Sequence, residues 1–160
     1  MDISATPGGV PTAATVFPRR INDDGIDLIK SFEGLHLTPY LCPGKIWTIG
    51  YGHTRTVRAG MRITPAEAEQ LLDEDLRLFE RAVTRLAAVP LSDNQFSALV
   101  CFTFNVGIAN LESSTLLKLL NRGWYEQVPA QLMRWNRANG EVFGGLARRR
   151  AAEARLWNRG

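Results

Sequence analysis

The chain has 160 residues, 45% of them hydrophobic and 22% charged, the makeup of an ordinary soluble globular domain. It has no apolar run near the eighteen or so residues needed to span a membrane, and its two cysteines make no disulfide framework. The net charge of +3 is uneven: residues 1–120 hold 11 basic and 13 acidic side chains, whereas residues 121–160 hold 8 arginines against 3 acids, a basic end that suits an envelope polyanion or a nucleic acid without choosing between them.

Residues 1–20 are rich in Pro, Gly, Ala and Thr without periodicity and read as a flexible tail, with Val16 and Phe17 as candidate anchors. Asn22-Asp23-Asp24 then starts a helix whose apolar positions are Ile26, Ile29 and Phe32. Glu33 falls in its last turn, with Gly34 placed to cap it. The partial negative charge of a helix C-terminus and burial against Phe32 and Leu35 both disfavour an ionised carboxylate there. A carboxylic acid that keeps its proton is what general-acid cleavage of a glycosidic bond requires. On position alone, a surface glutamate at a frayed helix end is the better reading.

The chain is expected to turn at Pro39 and again at Pro43-Gly44, and then to enter a strand over residues 46–52. Trp47, Ile49 and Tyr51 alternate there with Thr48, Gly50 and Gly52, giving one bulky and one slim face. The slim face lets a ligand approach the backbone, so Glu33, Cys42 and Thr48 are able to converge on one point. The strand is expected to pair with Val57 and Met61–Ile63 through a turn at Ala59-Gly60. His36 and His53 lack the companions that metal binding would need, and His53 is expected to hydrogen-bond a carboxylate or backbone instead.

Thr64-Pro65-Ala66-Glu67 is the clearest helix start in the chain, with Thr at the N-cap, Pro at N1 and Glu at N3. An apolar stripe from Ala68 to Leu86 carries that helix to Ala88, a rod of roughly 36 Å that can bridge two lobes. Ser92-Asp93-Asn94-Gln95 opens a buried helix that ends at Gly107 and holds Cys101 as core filler. Asn105 sits beside its apolar stripe and needs a partner, either a bound ligand or neighbouring backbone.

Short helices follow, one from Ser113 or Ser114 to Asn121 and one around Tyr125–Trp135 with its first turn reset at Pro129. Trp124, Trp135 and Trp157 read as core, while Trp47 and Tyr51 are better candidates for stacking on a sugar. Residues 139–145 form a glycine-rich loop that lacks the context of a phosphate loop. The last helix runs from about Leu146 to Asn158. Arginines crowd its N-terminus against the dipole, so at least one is expected to have a specific anionic partner, while Arg149 and Arg150 read as part of a solvated face.

Three segments in order carry a resemblance: Glu33, Cys42 and Thr48 running into Ile49-Gly50-Tyr51-Gly52-His53-Thr54; Phe104-Asn105-Val106-Gly107; and Gly144-Gly145-Leu146-Ala147-Arg148-Arg149-Arg150 with Ala152-Glu153 behind. Together they closely resemble the phage-type lysozymes of glycoside hydrolase family 24 over about residues 22–158. The resemblance implies an α+β, mainly helical fold: a sheet lobe over about 21–63, a linking helix over 64–88 and a helical lobe over 89–160. It implies a muramidase that cuts the β-1,4 bond between N-acetylmuramic acid and N-acetylglucosamine in peptidoglycan, with Glu33 as the acid. It also implies that Phe104, Asn105 and the Tyr51–His53 backbone shape the cleft, and that Arg148 reaches Glu33.

One position departs from the family, whose usual residue at Cys42 is Asp. The thiol is open to three roles: a thiolate base, a neighbour that positions water with Thr48, or a covalent nucleophile giving retention. Water positioning with net inversion is preferred here, and a buried, inert cysteine would leave the work to Glu33 and Thr48. No cofactor is called for, and a monomer is expected. The N-terminus has no apolar segment behind a basic start, so a stay in the host cytoplasm and release through a holin are expected. The alternatives are a non-hydrolytic or transglycosylating wall-binding protein of the same fold and, further off, a nucleic-acid binder using the arginine-rich end.

Overall fold

In the computed structural model, which describes residues 18–160, the first helix is set by a side-chain cap. Asn22 Oδ1 accepts from the Gly25 amide at 3.0 Å and starts α1 (Asp23–Glu33). A Cβ on Gly25 would lie 2.9 Å from Ser97 Cβ and closer still to Ile21. Glycine is what lets α1 press against α3 (Asp93–Val106) at that point. Gly34, at φ 70°, ends α1 and returns its amide to the Lys30 carbonyl at 2.9 Å.

The small sheet differs from the expected one. β1 (His36–Leu41) pairs antiparallel with β2 (Trp47–Gly50), with Tyr40 opposite Thr48 and Leu41 opposite Trp47. Pro39 is inside β1 and is not a turn. It sits where the register slips between His36 and Tyr40, a place where a missing N–H costs nothing. The expected partner, Met61–Ile63, forms no ladder with the sheet and is joined to its backbone through the Ile63 amide to Leu37 O at 3.0 Å. Ile49, Ile63 and Ala68 form the buried core of this lobe.

The capping box at Thr64 and Glu67 is present in both directions and opens α2 (Pro65–Leu86). Its 22 residues span about 33 Å, from the small core at Ala68 to the large one at Leu72, Leu76 and Val83. The second capping box, Ser92 with Gln95, opens α3, which is buried at every position from Phe96 to Thr103. A helix apolar on all sides belongs at the centre of a lobe. Here α1, α2 and α7 (Gly144–Asn158) pack around it.

The intervening chain forms α4 (Ile108–Ser113), α5 (Thr115–Asn121), a 3-10 turn at Tyr125–Gln127 and α6 (Val128–Met133). The loop expected at 139–145 instead contains a hairpin: β3 (Arg137–Ala138) and β4 (Glu141–Val142) turn on Asn139-Gly140, both at positive φ. Trp157 is core as expected, Trp135 packs against that core, and Trp124 is exposed. Among the described residues no helix is long and apolar enough to cross a membrane.

The expected tail falls mostly outside the described residues, including Val16 and Phe17. Its last two residues are fastened. Arg19 donates to Leu91 O at 2.7 Å and to Asp93 at 3.1 Å, and Arg20 bridges Asp73 and the buried Glu80.

Candidate active site

Glu33 is the last residue of α1, and its side chain is 22% exposed. Two features fix its carboxylate. Arg149 Nη1 donates to Oε1 at 2.8 Å, and Oε2 lies 3.0 Å from where a Cβ on Gly52 would stand. The arginine expected here was Arg148. α7 turns the other way: its buried side carries Arg149, Arg150, Glu153, Ala154, Leu156 and Trp157, and Arg148 is on the outer side over Gly144. The solvated face expected for Arg149 and Arg150 is likewise absent, since their exposures are 5% and 0%.

Thr48 is buried on β2, and its hydroxyl lies 3.0 Å from Ile46 O. Cys42 follows the end of β1 as a free, half-buried thiol. Its pKa is lowered foremost by the Ile46 backbone hydrogen bond, and also by those from Gly44 and the Thr48 hydroxyl, against a smaller opposing effect of burial. The Thr48 hydroxyl donates to the Ile46 carbonyl.

Tyr40 stands on β1 opposite Thr48. Burial pushes its phenol up first, and the charges of Glu33 and Cys42 add to the effect. The side chain therefore lies within electrostatic reach of both, on the strand facing Thr48. Sequence reasoning missed Tyr40. It lies two residues before Cys42, which follows the end of β1.

A cleft of about 390 Å³ opens beside Glu33, lined by Gly52, Thr54 and Arg55 of the small lobe, Asp75, Leu78 and Phe79 of α2, and Phe104 and Asn105 at the end of α3. Phe79 and Phe104 meet edge to face at 5.2 Å and stiffen its wall. Asn105 is exposed there. Cys42 and Thr48 are not among the lining residues. Hollows of about 570 and 690 Å³ lie elsewhere, one between residues 18–20 and α2, the other between α1 and α7, and neither holds Glu33.

The remaining expected cleft residues divide. His53 is buried, with Nδ1 2.8 Å from Asp75 Oδ2, and Asp75 also takes Arg55 at 3.1 Å. Its side chain therefore holds the loop to α2 as the carboxylate reading expected, and its backbone bridges to Ile49. Tyr51 packs against the cores of both lobes, with Lys30 Nζ 5.4 Å from its ring. Trp47 is 38% exposed at the hairpin. Among the described residues no His, Cys, Asp and Glu cluster suits a metal ion.

A family model described as Phage lysozyme matches residues 30–153, from just before Glu33 to Glu153. The chain belongs to the phage lysozyme family. It is 43% identical over 144 residues to the endolysin of Bacillus phage PZA, covering 88% of this chain and 56% of that protein. It is 40% identical over 141 residues to the endolysin of Acyrthosiphon pisum secondary endosymbiont phage 1, covering 86% of this chain and 97% of that one. Among solved structures, the muramidase domain of SpmX from Asticaccaulis excentricus superposes with a TM-score of 0.81 at 41% identity, over 86% of this chain and 97% of that one. The chain spans about half the length of the Bacillus phage relatives it matches. As a phage lysozyme fold it has the expected α+β, mainly helical form, with the cleft between the lobes beside the long α2.

Proposed function

We propose that this chain is a muramidase, an endolysin-type hydrolase of the β-1,4 bond between N-acetylmuramic acid and N-acetylglucosamine in peptidoglycan. The observation that carries the reading is the Glu33 carboxyl, fixed at the edge of the inter-lobe cleft by Arg149 and Gly52. Membership of the phage lysozyme family supports the substrate class.

In this reading Glu33 donates its proton to the glycosidic oxygen as the bond to C1 breaks, which discharges the leaving sugar as an alcohol. Water attacks C1 from the opposite face, oriented by Thr48 and the Cys42 sulfur. It gives up its proton to the sulfur when the thiol is ionised. Solvent exchange then returns a proton to Glu33 and removes one from Cys42. Hydrogen bonding onto the sulfur supports this role, because it favours the thiolate. The course is net inversion. Asn105 and Phe104 bind the saccharide along the α3 side, and the Tyr51–His53 backbone binds it along the other. A monomer acting on the wall, released from the host cytoplasm through a holin-type pore, completes the proposal.

Purified peptidoglycan separates the outcomes. Wild type should clear it, and Glu33→Gln should not. Equal clearing by both would remove the catalytic claim. NMR of the first product formed should show the α-anomer, whereas the β-anomer would mean retention with Cys42 as nucleophile.

A further inference from the structure

Behind Glu33 the fold buries a second carboxylate that the mechanism above does not use. Glu153 has no exposed surface. It takes two contacts from Arg150, Nη2 to Oε1 at 2.8 Å and Nε to Oε2 at 2.7 Å, and its Oε1 is 3.6 Å from Arg149 Nε. Arg149 is therefore held between two carboxylates, Glu33 at its Nη1 end and Glu153 at its Nε side. Its guanidinium also lies 5.7 Å from the Phe32 ring, and that of Arg150 lies 5.1 Å from Phe102.

We propose that Glu153 is a positioning residue for the general acid: it shares the charge of Arg149 with Glu33 and thereby sets how firmly Glu33 keeps its proton. The inference deepens the proposed muramidase reading and rests on it. Four charged groups line up in the order Glu33, Arg149, Glu153, Arg150, and they balance when both carboxyls are ionised. Without the charge of Glu153, two guanidinium groups would face Glu33 alone. Positive charge within a few ångströms favours the carboxylate, which is the wrong form for a general acid.

The groups that face Glu153 are Arg149 and Arg150 from its own helix and Cys101 from α3, and Glu33 of α1 stands across Arg149. Cys101 contributes no charge: burial pushes its thiol far up, and it donates to Gly25 O at 3.2 Å. Burial also raises the Glu153 carboxyl to about 7, against the pull of both arginines. Glu153 thus changes charge in the range where a general acid must hold its proton.

The test is the pH dependence of kcat/KM on soluble peptidoglycan fragments, with thermal melts to establish folding. Glu153→Gln should move the alkaline limb to lower pH by about half a unit to one unit. The double variant Glu153→Gln with Arg150→Gln removes one charge of each sign and should bring the limb back. A uniform loss of rate at every pH, with the limb unmoved in a folded Glu153→Gln protein, would reduce Glu153 to a structural role and overturn the proposal.

Should Glu153→Gln fail to fold, carboxyl-carbon NMR titration of the unaltered protein decides. The Glu33 signal should show a second inflection where Glu153 titrates, and a single independent step would overturn the coupling. Full activity in Glu33→Gln would instead sink the general-acid reading beneath it. The two failures are therefore distinguishable.

Discussion

Arg149 Nη1 reaches Glu33 Oε1 at 2.8 Å across 116 positions of sequence, joining the last turn of the first helix to the inner side of the last. The neighbouring Arg148 is exposed. Arg149→Lys should lower kcat about tenfold, because an ammonium cannot present the same planar fork to Glu33 and Glu153. Arg149→Met should cost more, and about 2 kcal/mol of stability besides, since it leaves one partly buried carboxylate without its cation. Arg148→Ala should leave activity near wild type and stability within about 0.5 kcal/mol. Steady-state lysis rates and denaturant melts on the three variants check this ordering.

Gly52 is a second constraint on the same carboxylate. Its φ is 83°, and an added Cβ would stand 3.0 Å from Glu33 Oε2. Gly52→Ala therefore has to strain the backbone, by about 1–2 kcal/mol, and also to displace Glu33. The expected result is a folded protein whose melting temperature falls modestly while kcat falls at least tenfold, since misplacing a reacting group by a fraction of an ångström is enough. A variant with a lowered melting temperature and unchanged kcat would show that the contact does not position the acid.

The parts of this site that were legible in the sequence are those fixed by neighbours a few residues away. The cap at Gly34, the boxes at Thr64 and Ser92, and the end of α3 at Gly107 all follow from local hydrogen bonding, and all are present. β1 was not legible because Pro39 reads as a break, and only the slipped register makes it tolerable inside a strand. The choice between Arg148 and Arg149 depends on how α7 is rotated about its axis, which the packing of α3, α6 and α1 decides and no local pattern records. The burial of Arg150 with Glu153 was hidden by the same ambiguity. Three consecutive arginines look solvated until Ala154, Leu156 and Trp157 are seen buried together with Arg149 and Arg150 on the inner side of the helix. The hairpin at 137–142 is legible in the sequence, because Asn139-Gly140 is a strong two-residue turn signal.

Glu153 also gives a stability signature independent of catalysis. Its carboxyl is raised to about 7 by burial in the folded chain, while an unfolded glutamate titrates near 4.3. Between those values the folded state binds more protons than the unfolded one, so stability falls as pH rises through the window. The contribution is complete below about pH 4 and lost above about pH 7, and it amounts to roughly 3–4 kcal/mol at most. Glu153→Gln should flatten that segment of the stability–pH curve, whatever it does to the absolute value. Urea melts at half-unit steps from pH 4 to pH 8 measure it, and an unchanged slope in the variant would assign the pH dependence to other groups.

The two cysteines should respond oppositely to an alkylating reagent. Cys42 is half-buried, and hydrogen bonding, first from the Ile46 backbone, lowers its thiol. Cys101 is fully buried, raised by burial, and donates to the Gly25 carbonyl. Thiolate is the reactive form, so iodoacetamide should modify Cys42 at a lower pH than a free thiol needs and leave Cys101 untouched in the native protein. Mass spectrometry after brief treatment should show one adduct, on Cys42, with lysis lost in step because the carbamidomethyl group fills the space of the attacking water. Cys42→Ser should keep the fold and lose most of the rate, since a hydroxyl can hold water but does not ionise near neutrality. Cys42→Asp should recover activity, because a carboxylate both orients water and accepts its proton. If the alkylated protein and Cys42→Ser both lyse at the wild-type rate, the sulfur has no part in placing the nucleophile, and Thr48 alone must do so.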